Sequence, residues 1–196
     1  IMQGYLTLGL EIVEQLKGIT PTHIFLQAGV GSMAAAVAAF FANIYGKNRP
    51  IITIVEPHGA DCLYRTACAD DGEIHAYEGE LQSIMAGLCC GIPCTVAWRL
   101  LKHCADFFVS MPDSVAANGM RILGAPLGDD PRIISGESGA STFGLVAEIL
   151  RKPENRPIKD ALGINAQSNI VCISTEGDTD RANYRRIVWD GAYCSN

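Results

Sequence analysis

Two hydrophobic periods alternate along this chain. Leu6, Leu10, Ile12, Val13 and Leu16 recur at helical spacing before Gly18, and predict an opening helix. Thr20-Pro21-Thr22 breaks it. Residues 23–27 form a short, nearly continuous apolar run, the mark of a strand buried on both faces. Ala28-Gly29-Val30-Gly31-Ser32 then reads as a turn, and residues 33–45 as an Ala-rich helix that stops at Gly46. Residues 51–55 repeat the buried-strand pattern and end at Glu56-Pro57.

Helical spacing returns over residues 60–69, 80–89 and 95–104, with Gly91-Ile92-Pro93 separating the last two. Residues 107–110 predict a strand, and Asp113 an N-cap for a helix reaching residue 123. A helix over 141–151 closes at Pro153. A strand over 169–174 and a helix over 178–189 complete the chain, with Asp178 and Asp180 at the helix start. Strands alternating with helices predict an α/β fold: a mainly parallel sheet with helices on both faces. With no repeat or linker, residues 1–196 are expected to form a single α/β domain.

Composition narrows the function classes. Fifteen Lys and Arg against twenty-one Asp and Glu leave a net charge of −6, which speaks against nucleic-acid and anionic-membrane binding. Charged residues are 18% and hydrophobic ones 48%, which excludes disorder and implies apolar surface for a partner to cover. The uncharged stretch over 24–45 imitates a membrane span. Gln27, Gly29, Gly31, Ser32 and Asn43 instead divide it into strand, turn and helix. The eight cysteines are too sparse for a secreted disulfide scaffold, and no signal-like segment opens the chain, so a cytoplasmic location is expected. Cys89, Cys90 and Cys94 lack a histidine at ligand spacing, so no metal is expected. His58 reads as a loop residue. Arg181, Arg185 and Arg186 read as a solvated helix face.

The sharpest local signal is a strand, then Gly-x-Gly, then a helix. The first turn of a helix leaves amides unpaired and carries partial positive charge, and glycines let an anion approach the backbone. Ala28, Gly29, Val30, Gly31 and Ser32 therefore form a candidate phosphate cradle. Gly29, Gly31 and Ala34 also satisfy Gly-x-Gly-x-x-Ala, with the acidic Glu56 ending the next strand. That is a dinucleotide-binding pattern, with Glu56 for a ribose hydroxyl.

Longer motifs point elsewhere. Gln27-Ala-Gly-Val-Gly-Ser32, Val55-Glu-Pro57, Gly136-Glu-Ser-Gly-Ala140 and Cys172-Ile-Ser-Thr-Glu-Gly-Asp-Thr-Asp180 occur in this order. Together with Met2-Gln-Gly-Tyr5 they resemble the C-terminal half of the diaminopropionate ammonia-lyases. These are fold-type-II pyridoxal-phosphate (PLP) enzymes with a tryptophan-synthase-β-like large domain. The resemblance implies that Ala28, Gly29, Val30, Gly31 and Ser32 hold the PLP phosphate, that Glu137 lines the cofactor, and that Ser174 or Thr175 faces the pyridine nitrogen. A hydroxyl there leaves the nitrogen largely unprotonated, which suits β-elimination more than transamination. The implied reaction converts the small amino acid 2,3-diaminopropionate to pyruvate and ammonia, in a homodimer.

The family's Schiff-base lysine has no counterpart at Lys17, Lys47, Lys102, Lys152 or Lys159, none of which sits in the required motif. With Ile at position 1, the chain is expected to be a C-terminal part whose N-terminal half carries the lysine. Such a part is expected to be inactive by itself. Two alternatives stand beside this reading: a nicotinamide-dependent oxidoreductase domain, and a non-catalytic phosphate-binding module.

Overall fold

The computed structural model describes residues 2–194. Four strands form one parallel sheet: β1 (His23–Gln27), β2 (Ile51–Pro57), β3 (Phe107–Met111) and β4 (Ile170–Cys172). Their order is β3-β2-β1-β4, with Gln27 beside Val55 and Phe25 beside Cys172. Among the described residues eight α-helices connect or flank them: α1 (Leu6–Leu16), α2 (Ser32–Tyr45), α3 (Cys62–Ala69), α4 (Thr95–Cys104), α5 (Asp113–Gly124), α6 (Glu137–Arg151), α7 (Arg156–Leu162) and α8 (Arg181–Val188).

The two-residue period of the strands sorts the core into two layers. Ile24, Leu26, Ile52 and Ile54 join Ile12 of α1, Val37 and Phe41 of α2 and Leu101 of α4 in one cluster. Phe25 and Val55 join Val115 of α5, Leu145 and Ile149 of α6 and Leu162 of α7 in another. Burial on both faces explains why β1 and β2 read as continuous apolar runs. An Arg49 guanidinium, bidentate on Asp106 at 2.6 and 2.8 Å, ties the chain entering β2 to the chain entering β3.

Helices α5 and α6 cross in contact distance. A Cβ on Gly119 would lie 2.4 Å from the Ala140 carbonyl oxygen, and one on Gly144 would lie 2.2 Å from that of Val115. Only glycine permits this approach of two backbones.

The structure departs from the sequence expectation in four places. Residues 80–89 are not a helix: only a 3₁₀ turn, Ala86–Leu88, forms there. Met85 and Leu88 are buried while Leu81 is exposed, and two of the segment's backbone amides bond to tertiary partners. Gln82 N–H donates to the Gly59 carbonyl, and Ile84 N–H donates to Asp113. Asp113 is consequently no N-cap: it is the first residue of α5, and its carboxylate also accepts from the Ser83 hydroxyl at 2.6 Å. Helix α6 starts at Glu137 rather than 141, because the Glu176 carboxylate accepts from the amides of Ser138 and Gly139. Helix α7 was not announced by the apolar pattern, and its seven residues carry Pro157 in the first turn.

Among the described residues no helix is long and apolar enough to cross a membrane. Exposed apolar residues gather beside the glycine turn, at Val30, Ile92 and Val96, and along α1 at Leu6 and Leu10. Others lie apart, at Leu127 after α5 and Trp189 after α8.

The glycine contact between α5 and α6 is testable by thermal unfolding. Gly144→Ala overpacks it by about 1–3 kcal/mol, which lowers Tm by roughly 2–10 °C. Gly4→Ala, where a Cβ meets nothing within 4 Å, leaves Tm unchanged.

Candidate functional site

From β1 the chain builds β2 and β3 to one side, then returns to place β4 on the other. In parallel α/β sheets such a switch point opens a crevice beyond the carboxyl ends of the strands. A cavity of about 610 Å³ lies there. One wall is the end of β1 and the turn after it. Ser174, Thr175 and Glu176 after β4 also line it, with Ser138 of α6 and Leu88 and Cys90 of the irregular segment.

The glycine turn delivers the start of α2 to this cavity. Gly31 is the N-cap residue with φ of 91°, a left-handed conformation that favours glycine. It has no side chain to cap the helix, and the first turn contains no acidic residue. Gly29 permits close approach: a Cβ there would sit 3.0 Å from Cys90 Sγ and 3.3 Å from Leu88 Cα. Three other helix starts, those of α3, α6 and α8, are closed by carboxylates. Glu56 accepts from Leu63 and Tyr64 N–H at α3, Glu176 serves α6, and Asp180 accepts from Asn183 N–H at α8. The amides opening α2 therefore face the cavity ready for an anion.

Gln27 joins the two sides. Its side chain is buried, and its Nε2 donates to the Ile173 carbonyl at 2.8 Å and to Thr175 Oγ1 at 3.1 Å. Its Oε1 is buried with no partner among the described residues. Ser174 is engaged on both sides, with Ser135 Oγ before α6 at 2.8 Å and the Glu176 carbonyl of its own loop at 3.3 Å.

Seven of the eight residues singled out from sequence therefore meet at one cavity: Ala28, Gly29, Val30, Gly31, Ser32, Ser174 and Thr175. Glu137 does not line it. Its carboxylate accepts from Asn183 Nδ2 and ties α6 to α8, and Ser138 takes the expected place on the wall. Sequence reasoning passed over Gln27 and Glu176, although both stand in the quoted motifs. A buried polar residue closing an apolar strand was the available signal for Gln27.

Glu56 answers the dinucleotide reading. It is completely buried, its two carboxylate oxygens accept from the first turn of α3, and the Cys62 thiol lies 3.8 Å away. No oxygen is left exposed for a ribose hydroxyl. Burial pushes its pKa up to about 8, against the pull of the Leu63 and Tyr64 amides. Burial likewise pushes the Cys62 thiol up to about 12, so it stays protonated. Cys94, before α4, is held below the usual thiol range by the Ala97 amide, with the Ser32 hydroxyl adding to the effect.

None of the residues lining the cavity is a lysine. Lys152 instead pairs with Glu148 at 2.8 Å. Among the described residues no group of three or more His, Cys, Asp and Glu is gathered for a metal ion. His58 contacts the Ser110 carbonyl, away from the cavity lining.

A family model, pyridoxal-phosphate dependent enzyme, matches residues 1–175. The chain belongs to this family. It is 48% identical over 195 residues to diaminopropionate ammonia-lyase of Escherichia coli strain K12, covering 98% of this chain and 48% of that protein. The chain thus spans about half the length of the curated relatives it matches. The crystal structure of the holo Escherichia coli diaminopropionate ammonia-lyase superposes with a TM-score of 0.91 at 47% identity, over 98% of this chain and 48% of that one. A second structure of that enzyme, in complex with an aminoacrylate-PLP azomethine reaction intermediate, gives 0.90 at 47% identity over 98% and 49%. The fold is that of the fold-type-II PLP enzymes.

The residues present fit a pyridoxal phosphate. The uncapped start of α2 suits a phosphate, the glycine cradle leaves room that a Cβ would fill, and a buried amide oxygen lacks a partner at the cavity wall.

The role of Glu56 predicts a pH dependence of stability. Its folded pKa lies above its ordinary value of 4.5, so folding takes up a proton between the two. Its contribution to stability falls as pH rises from about 4.5 to about 8. Thermal unfolding of Glu56→Gln across that window should show a flatter pH profile than wild type. Parallel profiles would contradict the assignment.

Proposed function

We propose that this chain supplies the cofactor-phosphate half of a PLP-dependent ammonia-lyase acting on 2,3-diaminopropionate. The observation that carries the reading is the convergence, at one switch-point cavity, of the uncapped α2 start and the hydroxyl-bearing loop after β4. The identity of 48% to diaminopropionate ammonia-lyase supports the substrate.

In this reading Ala28, Gly29, Val30, Gly31 and Ser32 hold the phosphate through backbone amides and the Ser32 hydroxyl. Thr175 meets the pyridine nitrogen, while Ser174 maintains the shape of its loop. When bound, the cofactor withdraws electrons from the substrate's Cα–H bond. Overall, 2,3-diaminopropionate loses its Cα proton and its β-amine, and water completes conversion to pyruvate and ammonia. The backbone amides hold the phosphate fixed throughout, and a neutral hydroxyl donor leaves the pyridine nitrogen without a full positive charge. Leu88 and Cys90 wall the cavity only in part, and its mouth stays open to a covering partner.

The Schiff-base lysine belongs, in this proposal, to a separate N-terminal half that covers the cavity mouth. The exposed Val30, Ile92 and Val96 offer apolar surface for that contact. A homodimer in the cytoplasm is the expected assembly. The dinucleotide alternative loses its anchor because Glu56 is buried and engaged at α3.

The test is a chimera in which this chain replaces the matching half of the Escherichia coli enzyme. Release of 2-oxo acid is expected from 2,3-diaminopropionate, as pyruvate, in preference to L-serine, also as pyruvate, and to L-threonine, as 2-oxobutyrate. Preference for L-threonine would overturn the substrate, and NAD binding without PLP binding would overturn the cofactor.

A further inference from the structure

We propose that Gln27 is a positioning residue that commits the Thr175 hydroxyl to donate its proton into the cavity. The assignment of the receiving atom as a pyridine nitrogen rests on the PLP reading above.

The argument begins with the amide's orientation. Gln27 Nε2 lies 2.8 Å from the Ile173 carbonyl oxygen. A carbonyl only accepts, so the nitrogen end of the amide must face it; the flipped amide would set two acceptors against each other. The same nitrogen lies 3.1 Å from Thr175 Oγ1. An amide nitrogen donates and does not accept, so the threonine oxygen is the acceptor in that pair. Its proton is thereby turned away from Gln27. Among the described residues no group accepts from this hydroxyl, and Thr175 is exposed on the cavity wall.

The neighbouring serine is not equivalent. Ser174 Oγ has an acceptor in its own loop whichever way the proton of its pair with Ser135 points. Thr175 is thus the hydroxyl with a free proton, and Gln27 is what directs it. Burial of Gln27 in the sheet, at the end of β1, locks the arrangement.

The consequence is a preference for ligands with a lone pair at the atom facing Thr175. An unprotonated pyridine nitrogen has one, and an N-methylated pyridinium has none. Gln27 in this way sets the charge state of the ring that the site favours.

The experiment compares binding of pyridoxine 5′-phosphate and its N1-methyl derivative, followed by calorimetry. Neither carries an aldehyde, so no lysine is needed. Wild type should prefer the unmethylated ligand by about tenfold or more, the worth of one hydrogen bond. Gln27→Met removes the amide donor, and the preference should fall to roughly two- to threefold, the hydroxyl being free to turn. Gln27→Glu, which offers Thr175 an acceptor, should abolish or reverse it. Thr175→Ser should keep it and Thr175→Val should lose it. Thermal melts accompany each variant.

Equal weakening of both ligands in Gln27→Met would mean a merely structural role and overturn the proposal. So would an unchanged preference in a folded Gln27→Met. If wild type binds neither ligand, the PLP reading itself fails and the proposal falls with it. If wild type binds both alike, the PLP reading stands and this proposal alone fails.

Discussion

The amides that open α2 receive no capping side chain, and the site is arranged around that fact. Their placement follows from the parallel sheet: β1 ends where the strand order reverses, and α2 starts from a glycine turn at that end. Glycine at 31 is required by the left-handed φ, and glycine at 29 by the proximity of Leu88 and Cys90. A Cβ at 29 would press on Leu88 and Cys90 of the cavity wall, and one at 31 on Leu63 and Leu101 of the core, so a side chain at either position would displace the turn that aims the amides at an anion. The long irregular segment before α4 is fixed by the same geometry, since Cys94 N–H donates to the Val30 carbonyl.

Carboxylates elsewhere in the molecule sharpen the contrast. Glu56, Glu176 and Asp180 close the starts of α3, α6 and α8, so acidic residues near the site serve as internal caps. Glu176 has a second role: its carbonyl accepts from Gly136 N–H and from the Ser174 hydroxyl. The loop after β4 and the start of α6 are thereby one hydrogen-bonded unit. Gln27 connects that unit to β1, so the two walls of the cavity are held in register by side-chain bonds as well as by strand pairing.

Much of this was legible in the sequence. The buried strands, the glycine turn and the helix after it announce themselves because apolar runs and glycine have strong local causes. The Ser-Thr-Glu-Gly run marked the far wall of the site. The remainder depends on long-range partners. Residues 80–89 carry a helical apolar pattern, but Gly59 and Asp113 claim their backbone groups from afar. Asp113 resembles an N-cap and instead serves Ser83 and Ile84. Glu137 stands in a motif at the site, yet its carboxylate binds Asn183, while residue 138 reaches the cavity. The choice between Ser174 and Thr175 needed the position of Gln27, which no spacing rule supplies.

The central claim is that the open α2 start selects a phosphorylated ligand. Equilibrium binding of pyridoxine 5′-phosphate against pyridoxine measures it most directly, in wild type and in Gly31→Ala. Charge-assisted bonds from backbone amides predict about a hundredfold preference for the phosphate ester in wild type. In Gly31→Ala that preference should collapse towards unity. Equal affinities for the two ligands in wild type, or an undiminished preference in a folded Gly31→Ala, would contradict the account.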